Sequence, residues 1–391
     1  MITKGAKIMI LIRNGKTFTM EAEGILEGVD VLIEKGKIKA IGKDLSDKDC
    51  VVIDAKGKFV YPGIVEAHCH MGIGESSIRV EGQDYNETSD PITPHMRGID
   101  GIYPLDETVM LARQGGITTV CAGPGSANVL GGTFAAYKTV GKNIDKMVLK
   151  EEVAMKAAFG ENPKMCYQGS VIKTRMNTAA LFREALFKTK EYLGKKELAK
   201  NDVSKMPAFD MKLEAMIPVI KGEMPIKAHA HRTDDILTSI RLAKEFNIKM
   251  TLDHCTEGHL IIDEVLESGF PAIVGPSLTS KSKFELKNKT FETPGILSKA
   301  GVKIALTTDS PVVPQEYLPI CAGLAVKSGM DAYEALKAIT INAAEIIGVG
   351  DRVGSLKVGK DADIVITDGD IMEINTNVLY TIIDGKIEYQ Y

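Results

Sequence analysis

The stretch Ile64-Val65-Glu66-Ala67-His68-Cys69-His70 directly follows Tyr61-Pro62-Gly63 and contains two histidines one residue apart. In an extended strand successive side chains point to opposite faces, so His68 and His70 share one face, about 6.6 Å apart along the strand axis. Two imidazoles at that spacing can bind one metal ion. A histidine pair can equally be solvated or hydrogen-bonded, so its interpretation depends on the rest of the chain.

Downstream of this stretch, candidate strands and helices alternate. Strands are predicted at residues 225–231, 249–254 and 302–309, with a helical pattern between each pair. Such alternation is typical of βα units that build a parallel sheet. About 240 positions separate His68 from the end of the last strand, close to the roughly 250 residues of one barrel. We therefore expect an α/β fold with a (β/α)8 TIM barrel, and a turn at Gly131-Gly132 within its less regular part.

Both ends of the chain contain short strand-like segments separated by turn signals. Asn14-Gly15 and Asp384-Gly385 are typical hairpin turns. A sheet with one half at each end would make the barrel an insertion within it. We therefore predict a composite β-domain, a small β-sandwich, from residues 1–60 and 350–391, with the barrel domain at residues 61–349.

Further ligand-type residues lie near the ends of the predicted barrel strands. His229 and His231 lie near the end of one strand, His254 ends the next, and Asp309 ends the last. A barrel gathers the C-terminal ends of its strands around one mouth, and nitrogen and oxygen ligands there suit Zn²⁺ or a similar ion. Each signal is weak alone, but four of the seven histidines in the chain fit this pattern: His68, His70, His229 and His254.

Taken together, these motifs resemble the amidohydrolase superfamily. Its metal-binding strand has the pattern P-G-[hydrophobic]-x-x-x-H-x-H, followed by histidines on strands five and six and an aspartate on strand eight, and the chain reproduces this order. Two further motifs match, T-x-N-x-A-x-x-x-G at residues 340–348 and G-x-L-x-x-G-x-x-A-D at residues 354–363. The resemblance covers nearly the whole chain. It is nearest to the imidazolonepropionase-related branch, which also includes zinc-dependent dipeptidases.

The resemblance implies one or two divalent metal ions, Zn²⁺ in the first place, with Fe²⁺ or Mn²⁺ as alternatives. Many members carry a further ligand on strand three or four, a glutamate or a carboxylated lysine that bridges two metals. Lys156 shares a strand face with small alanines, whereas Glu161 lies at the predicted mouth and is preferred because it needs no modification. Without either, the site would be mononuclear. The other implied ligands are His68, His70, His229, His254 and Asp309.

The implied reaction is hydrolysis of a carbon–nitrogen bond in an amide, cyclic amide or dipeptide-like small molecule by a metal-activated water. Asp309 would take the proton of the water and pass it to the departing nitrogen. His231 would stabilise the oxyanion or the leaving group, or else support a ligand by a hydrogen bond. Arg175 could bind a substrate carboxylate or form an ordinary salt bridge, and His259 could contact substrate or lie on the surface.

Two other functions remain open at this point. The same barrel supports heterocycle deaminases, and a barrel that has lost its metal would be a non-catalytic scaffold. Release of ammonia would distinguish a deaminase from an amide hydrolase. Lack of bound metal, with no rescue by added metal, would indicate the scaffold.

Composition excludes several function classes. The chain has 44% hydrophobic and 26% charged residues and a net charge of -4, without the basic field that nucleic-acid binding requires. The apolar run near its start, Ile8 to Ile12, is too short for a signal core or a membrane span. The six cysteines form no C-x-x-C pair, which favours a reduced, cytoplasmic protein. The lysine-rich segment 281–289 could attract an anion or stay solvated, and the resemblance suggests a homodimer.

Overall fold

The computed structural model describes residues 9–46, 48–76, 79–200 and 202–391, so the first eight residues of the predicted N-terminal β-region lie outside the described ranges. The strands form two eight-stranded sheets, and helices fill the connections. The strands are β1 (Met9–Phe18), β2 (Ile25–Glu34), β3 (Lys37–Gly42), β4 (Cys50–Asp54), β5 (Phe59–Pro62), β6 (Ile64–Cys69), β7 (Ile117–Ala122), β8 (Leu130–Lys138), β9 (Val148–Ala158), β10 (Ile226–Ala230), β11 (Met250–His254), β12 (Ala272–Val274), β13 (Ile304–Leu306), β14 (Ile364–Thr367), β15 (Val378–Ile383) and β16 (Lys386–Gln390). The helices are α1 (Glu107–Gln114), α2 (Ile144–Met147), α3 (Glu161–Cys166), α4 (Arg175–Ala199), α5 (Met211–Ile220), α6 (Thr233–Phe246), α7 (Ile262–Ser268), α8 (Thr293–Lys299), α9 (Leu318–Lys327), α10 (Ala332–Ala338) and α11 (Ile341–Ile346).

The barrel sheet follows the chain in order from β6 to β13. Its neighbouring strands are parallel, except that β8 runs antiparallel to both β7 and β9. After β13, Thr307 Oγ1 donates to His68 O at 2.6 Å and His70 N donates to Ser310 O at 2.7 Å. These bonds bring the last strand back to the first, so the sheet nearly closes. The predicted barrel is confirmed, with one strand of opposite direction.

The reversed strand β8 contains the glycine pair Gly131-Gly132, for which the sequence predicted a turn. Gly132 has a φ of +110°, and a Cβ at this position would lie 2.4 Å from Met96 O. The long loop after β6 therefore passes directly against the strand, and Ile92 in this loop forms a bridge with Leu130. The turn prediction was wrong because a glycine that suits a turn also suits the close approach of two backbones.

The second sheet joins strands from both ends of the chain. Its order is β16-β15-β14-β5-β1-β2-β3, with β4 beside β1. Because β14 pairs antiparallel with β5, the C-terminal strands extend the N-terminal ones, and the barrel is inserted between them. The division into a β-domain at residues 1–60 and 350–391 and a barrel domain at residues 61–349 stays a prediction. The apolar core of this sheet includes Ile10, Ile12, Val31, Ile33, Ile38, Val60, Ile364, Ile366 and Ile382.

Helices pack against the outside of the barrel. Helix α6 connects β10 to β11 and buries Ile236, Ile240 and Phe246 toward the sheet. The hairpin of α4 and α5 is inserted between β9 and β10, where α4 buries Phe182 and Leu186. Among the helices of the described ranges, none combines the length and the apolar character needed to cross a membrane.

Candidate metal centre

Strand β6 brings two histidines into the barrel. His68 Nδ1 lies 2.7 Å from Asp253 Oδ2, and His70 Nδ1 lies 2.7 Å from Gly123 O. A carboxylate and a carbonyl oxygen only accept hydrogen bonds, so in each ring Nδ1 carries the hydrogen and Nε2 keeps its lone pair. This is the tautomer in which a histidine, held by its other nitrogen, binds a metal.

Asp309 joins these histidines from the end of β13. Its Oδ1 lies 3.2 Å from His70 Nε2 and 3.6 Å from His68 Nε2. The residue has a φ of +52°, in the left-handed region, and its N–H donates to Thr307 Oγ1 at 2.9 Å. Left-handed backbone at a non-glycine residue is typical of functional sites. His68, His70 and Asp309 each offer a ligand atom within 4.8 Å of the other two.

A second group comes from β10 and β11. His229, His231 and His254 are buried, and each offers a ligand atom within 4.8 Å of the other two. His254 Nδ1 lies 2.7 Å from Gly275 O, so its Nε2 keeps the lone pair. His231 Nδ1 lies 2.7 Å from Thr256 Oγ1. Among the described residues His229 Nδ1 has no hydrogen-bond partner, which leaves this nitrogen available to a metal.

The two groups meet at His68 and His254, whose ring centroids are 5.1 Å apart. Beside them lies Lys156 of β9, which is fully buried and has its Nζ 3.4 Å from His68 Nε2. Burial lowers the pKa of Lys156 to about 8, although the carboxylates of Asp253 and Asp309 oppose this shift. A lysine with a lowered pKa is a neutral amine more often than an exposed lysine is.

Glu161, the preferred candidate for the bridging ligand, belongs to neither group among the described residues. It begins α3 and exchanges hydrogen bonds with Glu285: the N–H of each donates to the carboxylate of the other, at 3.0 and 3.4 Å. Glu285, not Glu161, approaches the histidines, with its Oε1 3.7 Å from His231 Nε2 and 3.9 Å from His229 Nε2. Of the two candidates, the structure brings only Lys156 to the ligand groups.

Burial also sets the protonation states of the ligands. For Asp309, burial alone would raise the pKa, but the contact with His70 and the neighbouring imidazoles hold the pKa below its ordinary value. Neutral imidazoles and an ionised carboxylate are the forms that bind metal ions. Burial lowers the pKa of His254 to about 4 and moves the pKa of three further histidines well below that of free imidazole: His68, His229 and His231.

The arrangement fits a divalent metal ion. Imidazole nitrogens and a carboxylate oxygen are the donors that Zn²⁺ and similar ions prefer. Asp309 Oδ1 and His229 Nδ1 are buried and lack a hydrogen-bond partner within the described part of the chain. A buried polar atom without a partner is costly, so two such atoms among ligand-type side chains point to a bound ion that satisfies them.

The ligand groups open into a cavity of about 390 Å³ at the mouth of the barrel. His70, His229, His231 and Asp309 line its floor. Tyr85, from the long loop after β6, stacks on His70 with ring centroids 5.3 Å apart. A cavity of this volume suits a small-molecule substrate.

The two residues predicted to bind substrate do not line this cavity. Arg175 Nε donates to both carboxylate oxygens of Asp235 at 3.0 Å, which is the ordinary salt bridge that the sequence also allowed. His259 Nδ1 lies 2.9 Å from Thr293 Oγ1 in a short helical turn after β11. Their positions argue against direct substrate contact by either side chain.

Sequence reasoning missed Asp253, which holds His68. Regular alternation along β11 assigns neighbouring residues to opposite faces, so Asp253 and His254 should point apart. His254 has a φ of +70° and Cys255 a φ of +44°, so the regular alternation breaks at this point. The side chains of Asp253 and His254 therefore both lie inside the barrel. Sequence reasoning also missed Glu285, because nothing in its loop marks a residue that folds back onto two histidines.

Comparison with known proteins agrees with this geometry. The model of the Amidohydrolase family matches residues 59–387, a range that includes every candidate ligand. The amidohydrolase tasK of Hapsidospora irregularis is 27% identical over 92% of this chain and 40% of that protein, so the chain spans less than half of that relative. An imidazolonepropionase of Geobacillus sp. (strain WCH70) is 30% identical over 88% of this chain and 84% of that protein.

A solved structure is similar over the full length of the chain. An amidohydrolase from Thermotoga maritima MSB8 is 38% identical, with a TM-score of 0.94, covering 98% of this chain and 100% of that chain. The resemblance inferred from the motifs is thus confirmed by sequence and by fold. The chain therefore belongs to the amidohydrolase family and is a hydrolase of carbon–nitrogen bonds.

Proposed function

We propose that this protein uses divalent metal ions to hydrolyse the carbon–nitrogen bond of an amide, a cyclic amide or a dipeptide-like small molecule. One observation carries the proposal: two adjacent groups of ligand-type side chains, His68/His70/Asp309 and His229/His231/His254, each contribute residues to the lining of a single cavity. The similarity to an imidazolonepropionase and to a solved amidohydrolase supports it.

The proposed ligands divide between two ions. His68, His70 and Asp309 would hold the first, and His229 and His254 the second. Zn²⁺ is the first candidate because the donors are imidazole and carboxylate, with Fe²⁺ and Mn²⁺ as alternatives.

Lys156 is the proposed bridging residue. Its Nζ lies beside His68, and an ammonium group buried next to two cations would be repelled. If the neutral amine attacks carbon dioxide, a C–N bond forms and one proton is released. The resulting carbamate is an anion, so a carboxylated Lys156 would help to hold the metal. This assignment replaces the earlier preference for Glu161.

When bound, a divalent ion would supply a Lewis acid that lowers the pKa of water and polarises the scissile carbonyl. Asp309, at the floor of the cavity, would accept the proton of the attacking water and return it to the departing nitrogen. His231 lines the cavity, with its Nδ1 2.7 Å from Thr256 Oγ1 and its Nε2 3.7 Å from Glu285 Oε1. From there His231 would donate to the oxyanion or to the leaving group.

The test begins with protein made metal-free by a chelator and then loaded with Zn²⁺, Mn²⁺ or Fe²⁺. Loaded protein is assayed on panels of N-acyl amino acids, dipeptides and cyclic amides, with product identification and a separate ammonia assay on purines and pyrimidines. We expect metal-dependent cleavage of amide bonds. If ammonia release from heterocycles is the only activity found, the deaminase is favoured. If the protein retains no metal after loading and turns over no substrate, the non-catalytic scaffold is favoured.

A further inference from the structure

The loop between β12 and α8 carries four lysines, but only one of them faces the cavity. Lys281 Nζ donates to Lys287 O at 2.7 Å. Lys289 Nζ donates to Thr279 O at 2.6 Å. These contacts hold the loop to itself. Lys283 instead lines the cavity, and its side chain is 34% exposed, enough for its ammonium group to meet a bound molecule.

Lys283 is fixed in place by Asn162. Its Nζ donates to Asn162 Oδ1 at 2.7 Å and lies 3.7 Å from Glu285 Oε1. The amide nitrogen of Asn162 in turn donates to Ser126 Oγ at 2.6 Å and lies 3.5 Å from His229 Nε2. A row of polar groups, Lys283, Asn162 and Ser126, thus runs along the cavity wall, and Asn162 in its middle also contacts a proposed metal ligand.

The charges around the cavity favour an anion at this wall. Of the described residues that line the cavity, Lys283 is the one lysine or arginine, and Asp309 on the floor is the one acid. The carboxylate of Glu285 lies behind this lining, 3.7 Å from Lys283 Nζ, which is beyond hydrogen-bond distance. Asn162 takes one of the three ammonium hydrogens, so others remain for a ligand. Arg175, the cation that the sequence offered for a substrate carboxylate, is instead occupied by Asp235.

We propose that Lys283, supported by Asn162 and Ser126, binds a carboxylate of the substrate close to the bond that is cleaved. The substrate class is then an amide that carries a free carboxylate, such as an N-acyl amino acid or a dipeptide with a free C-terminus. The inference rests on the proposed function, because it assumes that an amide bond is cleaved at the floor of the cavity. The carboxylate of the substrate would lie on the wall while the scissile bond lies over the floor. Lys283 is therefore a residue that determines specificity.

The test compares matched acids and amides. Metal-loaded wild type is given dipeptides and N-acyl amino acids, and the same compounds with the carboxylate converted to a neutral amide. We expect wild type to prefer the acids in kcat/KM by about 10- to 100-fold, as charge-assisted hydrogen bonds generally provide. Lys283→Met should lose this preference, mainly through KM, and Lys283→Arg should recover part of it. Lys287→Met, which removes a lysine of the same loop outside the cavity, should keep the preference.

Binding separates this inference from the proposed function. Calorimetric titration of metal-loaded protein with N-acetyl amino acids and with their amides measures the affinity for each compound, even for compounds that are not cleaved. A preference for acids that depends on Lys283, without any cleavage, would overturn the hydrolase proposal and leave the carboxylate site standing. The inference would be overturned if wild type cleaves acids and amides equally well, or if it does not bind the acids. It would also be overturned if Lys283→Met loses activity equally on acids and amides, or if the preference for acids survives in this variant.

Discussion

Asp253 Oδ2 lies 2.7 Å from His68 Nδ1, and neither side chain is exposed to solvent. The same oxygen lies 3.2 Å from Lys227 Nζ, while Thr251 Oγ1 donates to Asp253 Oδ1 at 2.6 Å. Lys227 also donates to Ala67 O at 3.1 Å, so the lysine ties β10 and β11 to the strand that carries the first histidines. Asp253 thus fixes both the tautomer and the orientation of a proposed metal ligand, although it would not touch the metal.

We expect Asp253→Asn to weaken metal binding by about 10- to 100-fold, as loss of a partner that orients a ligand generally does. Asparagine keeps the shape but removes the charge that orients His68 and balances Lys227. Zn²⁺ affinity is measured by competition with a chromophoric chelator. Asp263→Asn, on the exposed side of α7, is the matched control. Unchanged affinity in Asp253→Asn would refute the positioning role.

Asp309→Asn should lower kcat by about 1000-fold or more, because the amide cannot accept the proton of the attacking water and is a poorer metal ligand. The fold should persist, since the main chain of this residue is already held by Thr307. Circular dichroism and thermal unfolding check the fold while kinetics check the rate. Turnover close to that of wild type would show that another residue moves the proton.

His229→Ala should likewise abolish turnover while the barrel survives. Its Nδ1 is buried and lacks a hydrogen-bond partner among the described residues, and its Nε2 makes a long contact of 3.5 Å with Asn162 Nδ2. Loss of the side chain therefore removes a proposed ligand and at most one weak hydrogen bond. Metal analysis by mass spectrometry should show about one bound ion fewer than in wild type. Full metal content together with full activity would exclude His229 from the site.

We expect the side-chain nitrogen of Lys156 to be carboxylated in the metal-loaded protein. Protein equilibrated with ¹³C-bicarbonate is expected to show a carbamate signal in its ¹³C spectrum, and Lys156→Ala should lack this signal and bind fewer metal ions. Lys150→Ala, on the same strand but far along it, is the control. A spectrum without the signal, combined with two bound ions in Lys156→Ala, would mean that another group bridges the metals.

The clustering of the candidate ligands was predictable from the sequence because it follows simple geometry. Period-two alternation places His68 and His70 on one face, and a barrel collects the ends of its strands at one mouth. The choice between Lys156 and Glu161 depends instead on Gly160, which has a φ of +85°. Lys156 lies before this turn, within β9, and its side chain points into the barrel. Glu161 lies after the turn and contacts Glu285 instead.

Contacts between distant loops were not predictable. The carboxylate of Glu285 and the ammonium of Lys283 come from the loop between β12 and α8, whereas the amide of Asn162 comes from helix α3, more than 100 residues earlier in the chain. The backbone at His254 is left-handed, and this conformation lets the side chain of Asp253 point into the barrel. It is imposed by the surrounding chain, and the residue types at this position do not indicate it. The site was therefore predictable where strand periodicity placed a residue, and not where loop packing did.

A buried cluster of charges joins the barrel to the terminal sheet. Lys138, at the end of β8, lies 2.8 Å from Asp361 Oδ2 and 3.0 Å from Asp363 Oδ1, and also pairs with Asp384. Asp363 Oδ1 accepts a further hydrogen bond from Asp384 N, whereas its Oδ2 has no partner among the described residues. Burial raises the pKa of Asp363 to about 6, although Lys138 opposes the shift.

The raised pKa of Asp363 predicts a definite dependence of stability on pH. A carboxyl group whose pKa is higher in the folded state binds its proton more tightly there, so its contribution to stability is full below the ordinary value of 3.8 and is lost as the pH rises through about 6. Asp361 has a lowered pKa and loses its contribution only at more acidic pH, outside this window. Asp363→Asn removes the titration, so the melting temperature of the variant relative to wild type should rise between about pH 4 and pH 6 and level off above this range. The exposed Asp368→Asn should show no such slope, and a flat or falling difference for Asp363→Asn would mean that Lys138 keeps Asp363 ionised throughout.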